Sequence, residues 1–323
     1  MWLKPINQND NNLLFDSVRG PENYLYVNSN AANSTDDASG YGKFISFDKN
    51  GFTIGPWNNL NNSGEAHVAM CWKAGGKPTS ALPYMVDDVG YATLEAAGIE
   101  DPITNTIIPT KMSVGKKQGF SIVNYTGNGA TNAIVPHGLG KKPVVALLKN
   151  LDATVNFDMH MFGSYRAAIN TAETDQGNGN TTFTEDAFIL ANDSSARNQN
   201  SVNYIAYIWA EIEGYSKFGQ YRGNGDANGT FVYLGFKPAW LMVKQVDGTN
   251  SWFYQDTTRN PENPTSAGGL RADVNNENTA VKDCDFLSNG FKWRIVTGYG
   301  NDANTEYLYM AFAQSPFAHN LAE

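Results

Sequence analysis

One plan is written twice in this chain, about one hundred residues apart. Residues 121–150 read SIVNYTGNGATNAIVPHGLGKKPVVALLKN, and residues 215–245 read YSKFGQYRGNGDANGTFVYLGFKPAWLMVKQ. Tyr125 aligns with Tyr221, Gly127-Asn128-Gly129 with Gly223-Asn224-Gly225, Leu139-Gly140 with Leu234-Gly235, Pro143 with Pro238, and Lys149 with Lys244. A further segment follows each lysine: LLKNLDATVNFDMHMFGSYR (147–166) matches LMVKQVDGTNSWFYQDTTR (241–259), and both match WLKPINQNDNNLLFDSVR (2–19). Each copy then closes with a Phe-led run and an aromatic-rich one, at residues 52–74, 188–211 and 291–314, where Trp72, Trp209 and Phe312 align.

Internal repetition constrains architecture before any local motif does, because each copy must bury its apolar face against its own parts or its neighbours. It predicts three tandem related modules: 1–76, 119–213 and 214–323, with 77–118 as a connector unlike the rest. The Tyr-x-Gly-Asn-Gly lead-in precedes the second and third cores but not the first, which begins at Trp2. A sheet short of that strand exposes an unpaired edge, so the connector or a strand from another copy of the chain is expected to cover it.

Apolar runs rich in Val, Ile, Tyr, Phe and Trp are broken at short intervals by Gly, Asn, Asp and Ser, which is the pattern of an all-β sandwich or barrel. The fold class read here is all-β: three sandwich-like modules and one irregular connector carrying a short helix over VGYATLEAAGI (89–99), ended by Gly98. In YIAYIWA (204–210), Ile205, Tyr207 and Trp209 point one way and Tyr204, Ala206 and Ile208 the other. Both faces are apolar, so this strand is expected at the centre of a sheet, and YLYMAFA (307–313) repeats the design. Asn128-Gly129 and Asn224-Gly225 supply the positive φ of a tight turn between twisted strands, and the absence of helical pattern after them argues against a phosphate loop.

The net charge is −9. That disfavours partners bound by phosphate neutralisation, so nucleic acid and anionic membrane are not expected. Cys71 and Cys284 are the two cysteines. They sit in no Cys-x-x-Cys or zinc spacing, and Cys71, alternating within VAMCW, is expected to act as a small buried apolar group. No apolar window reaches the length of a membrane span, and no charged-then-apolar leader opens the chain.

The candidates for chemistry are few. Asp16-x-x-Arg19 and Asp256-x-x-Arg259 recur after Lys4 and Lys244, and are read as ion pairs fixing strand exits in preference to a binding site. The middle copy keeps Lys149 and Arg166, with Met161 at the acidic position. Asp158-x-His160 has a spacing compatible with a metal or an acid/base pair, but no second histidine motif supports it. Glu185-Asp186 and Glu211-x-Glu213 are neighbours in sequence, whereas glycoside hydrolysis needs carboxylates opposed across a cleft. Nucleophile elbow, P-loop and dinucleotide fingerprint are all missing from the sequence, so no catalytic residue, cofactor or metal is expected. Flat rings stack on sugars at little entropic cost, and Trp57 and Trp252 are the two candidates for reaching a surface and binding glycan, with core burial the favoured alternative for both.

The runs EGYSKFGQYRGNGDANGTFVYLGFKPAWLMVKQ, LSNGFK, YLYMAFAQSPF and VDDVGYATLEAAGI resemble a repeated β-rich domain of unknown function found in tailed-bacteriophage virion and tail-fibre proteins. The resemblance covers nearly the whole chain. It implies a non-enzymatic virion structural protein, assembled in the bacterial cytoplasm and most plausibly a tail-fibre or adhesin component for host-surface attachment. It further implies a homo-oligomer, a trimer by analogy with phage fibres, with other virion proteins and a host surface glycan as partners. The alternatives are a capsid decoration or head-fibre protein and, less favoured, a surface-polysaccharide depolymerase.

Overall fold

The short apolar runs fold as strands throughout, and the Gly- and Asn-rich breaks form the loops between them. The computed structural model describes residues 1–35, 44–100, 106–177, 181–191, 194–264, 268–275, 284–296 and 298–315. The chain divides into two compact units, Met1–Asn170 with Gln176–Ala210, and Thr171–Asp175 with Glu211–Glu323.

The first unit opens with strands β1 (Trp2–Pro5), β2 (Leu13–Leu14), β3 (Asn23–Tyr26) and β4 (Ser34–Thr35), the hairpin β5 (Phe44–Asp48) and β6 (Gly51–Ile54), helix α1 (Asn58–Asn61) and β7 (His67–Met70). Five of these strands form a sheet in the order β4-β3-β2-β1-β7. Alternation puts Leu3, Leu13 and Phe15 on one face, where they form a core with Tyr24, Phe44 of the hairpin and Leu60 of α1.

The same unit continues with β8 (Tyr84–Val86), β9 (Val89–Tyr91), β10 (Lys111–Gly115), β11 (Phe120–Thr126), β12 (Ala133–Pro136), β13 (Val145–Asn150), β14 (Asp158–Met161), β15 (Tyr165–Ala167), β16 (Thr181–Phe183), β17 (Ala187–Leu190) and β18 (Asn203–Trp209). Eight strands make a sheet in the order β15-β14-β13-β18-β11-β10-β8-β9, and β12-β17-β16 make a small one. Val123, Tyr125, Leu148, Tyr204 and Ile208 of the large sheet share a core with Val135, Phe188 and Leu190 of the small one. β18 lies between β13 and β11 with both faces buried, as its two-sided apolar pattern predicts.

The second unit contains β19 (Ser216–Arg222), β20 (Phe231–Tyr233), β21 (Pro238–Gln245), β22 (Phe253–Asp256), β23 (Leu270–Arg271), β24 (Cys284–Leu287), β25 (Gly290–Trp293) and β26 (Glu306–Ala313). Its sheets run β19-β26-β21-β22-β23 and β20-β25-β24. Leu241, Val243, Phe253, Tyr309 and Ala311 face Val232, Phe286, Phe291 and Trp293 across the core. β26 is central, between β19 and β21.

The three larger sheets share several placements. Lys4, Lys149 and Lys244 each lie on a strand paired on both sides, β1 by β2 and β7, β13 by β14 and β18, and β21 by β22 and β26. The hairpins facing them carry Phe47 opposite Phe52, Phe183 opposite Phe188, and Phe286 opposite Phe291.

Four expectations fail on physical grounds. Residues 89–99 hold no helix: Asp87 and Asp88 both adopt positive φ, 47° and 69°, closing a two-residue hairpin whose second strand is β9. Thr93–Ile99 then makes a single turn that Gly98 closes at φ 66°, and the short helix of the described residues is α1 at 58–61. Nor is the connector irregular, since β8 pairs parallel to β10 and β10 antiparallel to β11, extending the second large sheet and not the first. Cys71 is exposed: the alternation is real, but Val68 and Met70 take the inward phase, leaving Ala69 and Cys71 outward. Finally, the two Gly-Asn-Gly loops are not hairpins, because each carries the chain from a large sheet to a small one.

Candidate functional site

The recurring Asp-x-x-Arg residues form ion pairs at strand exits. Arg19 Nε donates to Asp16 Oδ2 at 2.5 Å, and Arg259 Nε to Asp256 Oδ2 at 2.6 Å. Asp16 Oδ1 accepts the Val18 and Arg19 backbone N–H groups, and Tyr207 of β18 donates its hydroxyl to Asp16 Oδ2 at 2.7 Å. Burial works to raise the Asp16 carboxyl, but the Arg19 guanidinium and these hydrogen bonds more than offset it, so its pKa lies below the ordinary value.

Asp158 and His160 come together as their spacing suggested, joined by a residue the sequence did not flag. His160 Nε2 lies 3.0 Å from Asp158 Oδ2, which also accepts Arg197 Nη1 at 2.7 Å, while Oδ1 accepts Arg166 Nε at 2.6 Å. Asp158, His160 and Arg197 are buried. Burial acts to raise the Asp158 pKa, and His160, Arg197 and Arg166 together hold it well below the usual carboxylate range. A buried carboxylate held by two guanidinium groups and an imidazole acts as an internal cross-link. No group of three or more His, Cys, Asp or Glu suited to hold a metal occurs among the described residues.

The buried lysines secure hairpin loops. Lys149 Nζ donates to the carbonyls of Asn30 and Val155, and Lys244 Nζ to those of Gly248 and Asn250 at 3.1 and 2.8 Å. Burial lowers both ammonium groups to about 8, against slight opposition from Asp273 and Glu173 at Lys244.

Each Gly-Asn-Gly loop docks on an asparagine six residues before a stacked tyrosine. Asn198 Oδ1 accepts Asn128 N–H at 3.0 Å and its Nδ2 donates to Ala130 O at 2.8 Å; Asn301 does the same with Asn224 at 3.1 Å and Asp226 at 2.9 Å. The rings of Tyr125 and Tyr204, and of Tyr221 and Tyr307, stack with centroids 5.3 Å apart in both pairs. A Cβ on Gly127 would lie 2.3 Å from Gln199 O, and one on Gly223 2.3 Å from Asp302 O, so no side chain fits at either position.

The carboxylate pairs considered for sugar hydrolysis are engaged or simply exposed. Glu185 and Asp186 are exposed at the turn between β16 and β17, and Glu211 Oε2 accepts the Phe218 N–H. Trp252 is only 2% exposed, so its ring is not available at a surface. Trp57 is half-buried against the first core, its ring 5.3 Å from that of Tyr24.

Exposed aromatic surface lies elsewhere, on β20. Val232, Leu234 and Phe236 take the inward phase of TFVYLGF, which turns Phe231 and Tyr233 to solvent at 43% and 61% exposure. Residues two apart on one strand are roughly 7 Å apart on the same side. Lys217 Nζ stands 5.7 Å from the Tyr233 ring centroid, and Lys292 lies directly across the ladder from Phe231. The corresponding strand β12 presents Ile134 at its outward position, so the aromatic pair is particular to β20. Alternation within residues 230–236 was the signal for it. Tryptophan content does not point to it, because neither outward ring is a tryptophan.

Two flat rings on the edge strand β20 thus lie beside Lys217 of β19 and Lys292 of β25, on an all-β, sandwich-like scaffold. The chain belongs to the family described as Domain of unknown function (DUF7483), whose model matches residues 1–83 and 94–316. The ten residues between the two matched segments, 84–93, contain β8, its hairpin turn and β9. No curated protein and no solved structure matches the chain.

Proposed function

We propose that this is a non-enzymatic bacteriophage virion protein, a tail-fibre or adhesin component that binds host surface glycan through Phe231 and Tyr233. The virion assignment is supported by the resemblance of the repeated sequence runs to phage tail-fibre domains. The binding role is carried by one observation, the exposed ring pair beside Lys217 and Lys292. Apolar sugar faces stack on flat rings, and a spacing of roughly 7 Å lets two rings meet neighbouring residues of one saccharide chain. The lysines would then reach hydroxyls or carboxylates at the rim. In this reading the three related sandwiches are copies of one building block. Symmetric copies of the chain on a particle gain avidity from many weak contacts.

The test is titration of host surface polysaccharide against the wild-type chain and the Phe231→Ala/Tyr233→Ala double variant. Binding should fall at least tenfold in the variant with its melting temperature unchanged. Equal binding by both proteins sinks the site. Release of reducing sugar that disappears on mutating one carboxylate would replace adhesion with depolymerisation, and electron cryomicroscopy placing the chain on the head would favour decoration over attachment.

A further inference from the structure

Building on the sugar-binding reading of Phe231 and Tyr233, we infer that the ligand is an acidic saccharide with an anionic group on neighbouring sugar units. Lys217 and Lys292 are the residues that set this specificity.

The rings rest on a built platform. Gly290 lies directly across the ladder from Tyr233. A Cβ there would meet Val232 O at 2.1 Å and Phe231 Cε2 at 3.1 Å, so the Phe231 ring settles beside bare backbone of β25. The Tyr233 ring runs alongside Gly235, where a Cβ would lie 3.7 Å from the Tyr233 Oη. Rings laid against glycine have little rotamer freedom left to lose when a ligand stacks on them.

Each ring has its own cation. Lys292 of β25 stands across from Phe231, and its Nζ donates to Asn228 Oδ1 at 2.6 Å, which holds the ammonium near the start of β20. Lys217 reaches in from the other sheet and places its Nζ 5.7 Å from the Tyr233 ring centroid. Neither ammonium forms a salt bridge among the described residues. The rung that passes through Phe231 and Lys292 ends on Asp285 of β24, but that carboxylate is buried and already bound by Arg294, Nε to Oδ2 at 2.6 Å. Two unneutralised positive charges therefore flank the rings on a chain whose net charge is −9.

The chemistry of the ligand follows from that pairing. A sugar hydroxyl offers a lysine little more than water does, whereas a carboxylate or sulfate makes a charge-assisted hydrogen bond about twice as strong as a neutral one. The lysine ammonium is a compact, rotatable point charge and takes either anion. With the rings roughly 7 Å apart and a cation at each, the match is to a chain charged on neighbouring units and not to one isolated acid. Negative charge over the rest of the molecule repels such a chain elsewhere and confines it to this face.

Short oligogalacturonates, with a carboxylate on every sugar, are the first probe, and their methyl esters are the neutral match. Sulfated and plain dextran oligosaccharides form the second pair, and calorimetry reads each against the full chain. The acidic members should bind about tenfold more tightly than their neutral matches, and the tighter of the two tells carboxylate from sulfate. Lys217→Gln/Lys292→Gln should remove that preference and leave neutral binding unchanged, while Phe231→Ala/Tyr233→Ala should abolish both. The comparison of acid with ester on the wild type needs no variant, so it stands even where a substitution perturbs folding. Equal binding of acidic and neutral members, lost when the rings are removed, overturns the acidic class and keeps the ring site. An acidic preference that survives the lysine double variant overturns the role of these lysines. Binding of no member, or binding indifferent to the ring variant, overturns the class and the site together.

Discussion

The hydroxyl of Tyr207 donates to Oδ2 of Asp16 at 2.7 Å, joining residues 191 positions apart in sequence. Arg19 binds the same carboxylate and also donates to the Tyr207 hydroxyl, at 3.2 Å. With Lys149 reaching the Asn30 carbonyl, and Asn33 N–H donating to Leu151 O at 3.0 Å, this contact ties the first sheet of the unit to the second. Tyr207→Phe removes a hydrogen bond to a charged acceptor and should cost roughly 1.5–3 kcal/mol. Asp16→Ala strands the buried Arg19 cation and should cost about 3–5 kcal/mol. Urea titration of both variants checks the ranking, which fails if Tyr207→Phe is the more damaging.

Asn301 should be among the least replaceable polar residues of the second unit. Its Nδ2 donates to Asn224 Oδ1, Asp226 O and Ile295 O, and its Oδ1 accepts Asn224 N–H. Truncation to alanine leaves several buried groups without partners, and a loss of about 3 kcal/mol is expected. Asn301→Asp, isosteric but without the donor, should do little better. Equal stability of Asn301→Asp and wild type in urea would contradict this account.

His137 should make the protein sensitive to mild acid. Leu139 N–H donates to its Nδ1 at 3.1 Å, and its Nε2–H donates to Thr184 O at 3.2 Å, which fixes the neutral tautomer. Burial lowers its pKa to about 4, against the opposing Thr184 carbonyl and Asp186 charge. The unfolded chain takes up a proton near pH 6.5 and the folded chain does not until about pH 4, so stability falls as pH drops between them. The contribution at pH 5 is about 2 kcal/mol. His137→Asn should flatten the stability profile between pH 7 and pH 5 by that amount, as read from urea midpoints, and an unchanged slope would count against the assignment.

Lys149 and Lys244 predict the same trend in a separate, alkaline window. Both ammonium groups are lowered to about 8 in the folded chain, while unfolded lysine keeps its proton to about 10.4. Between those values the unfolded state binds more protons, so stability rises with pH. The wild type should therefore gain on a Lys149→Met or Lys244→Met variant by up to roughly 2 kcal/mol between pH 8 and pH 10. A difference independent of pH would mean the ammonium groups reach solvent.

The fold was legible where periodicity reports it directly. YIAYIWA carries apolar residues in both phases, and β18 is central. The helix expected over 89–99 fails because Asp87 and Asp88 adopt left-handed backbone, and a two-residue turn outweighs the helix propensity of LEAA. Asn198 and Asn301 escaped notice because their partners are 70 and 77 residues distant, although each stands six before a tyrosine. Composition drew attention to Trp57 and Trp252, yet large rings are the most rewarding to bury, and Trp252 is buried. Phase along the strand, not ring size, decides which aromatics reach water, and Phe231 and Tyr233 occupy the outward phase of β20.

β10 and the β8–β9 hairpin lie against β11, so that strand cannot recruit a neighbour by its free side. That hairpin falls within the ten residues between the two matched segments of the family. Tyr84 and Val86 of that fence are themselves buried with Met112 and Val114. The barrier that keeps this flank solitary is therefore also part of the interior wall, and loosening one would unsettle the other.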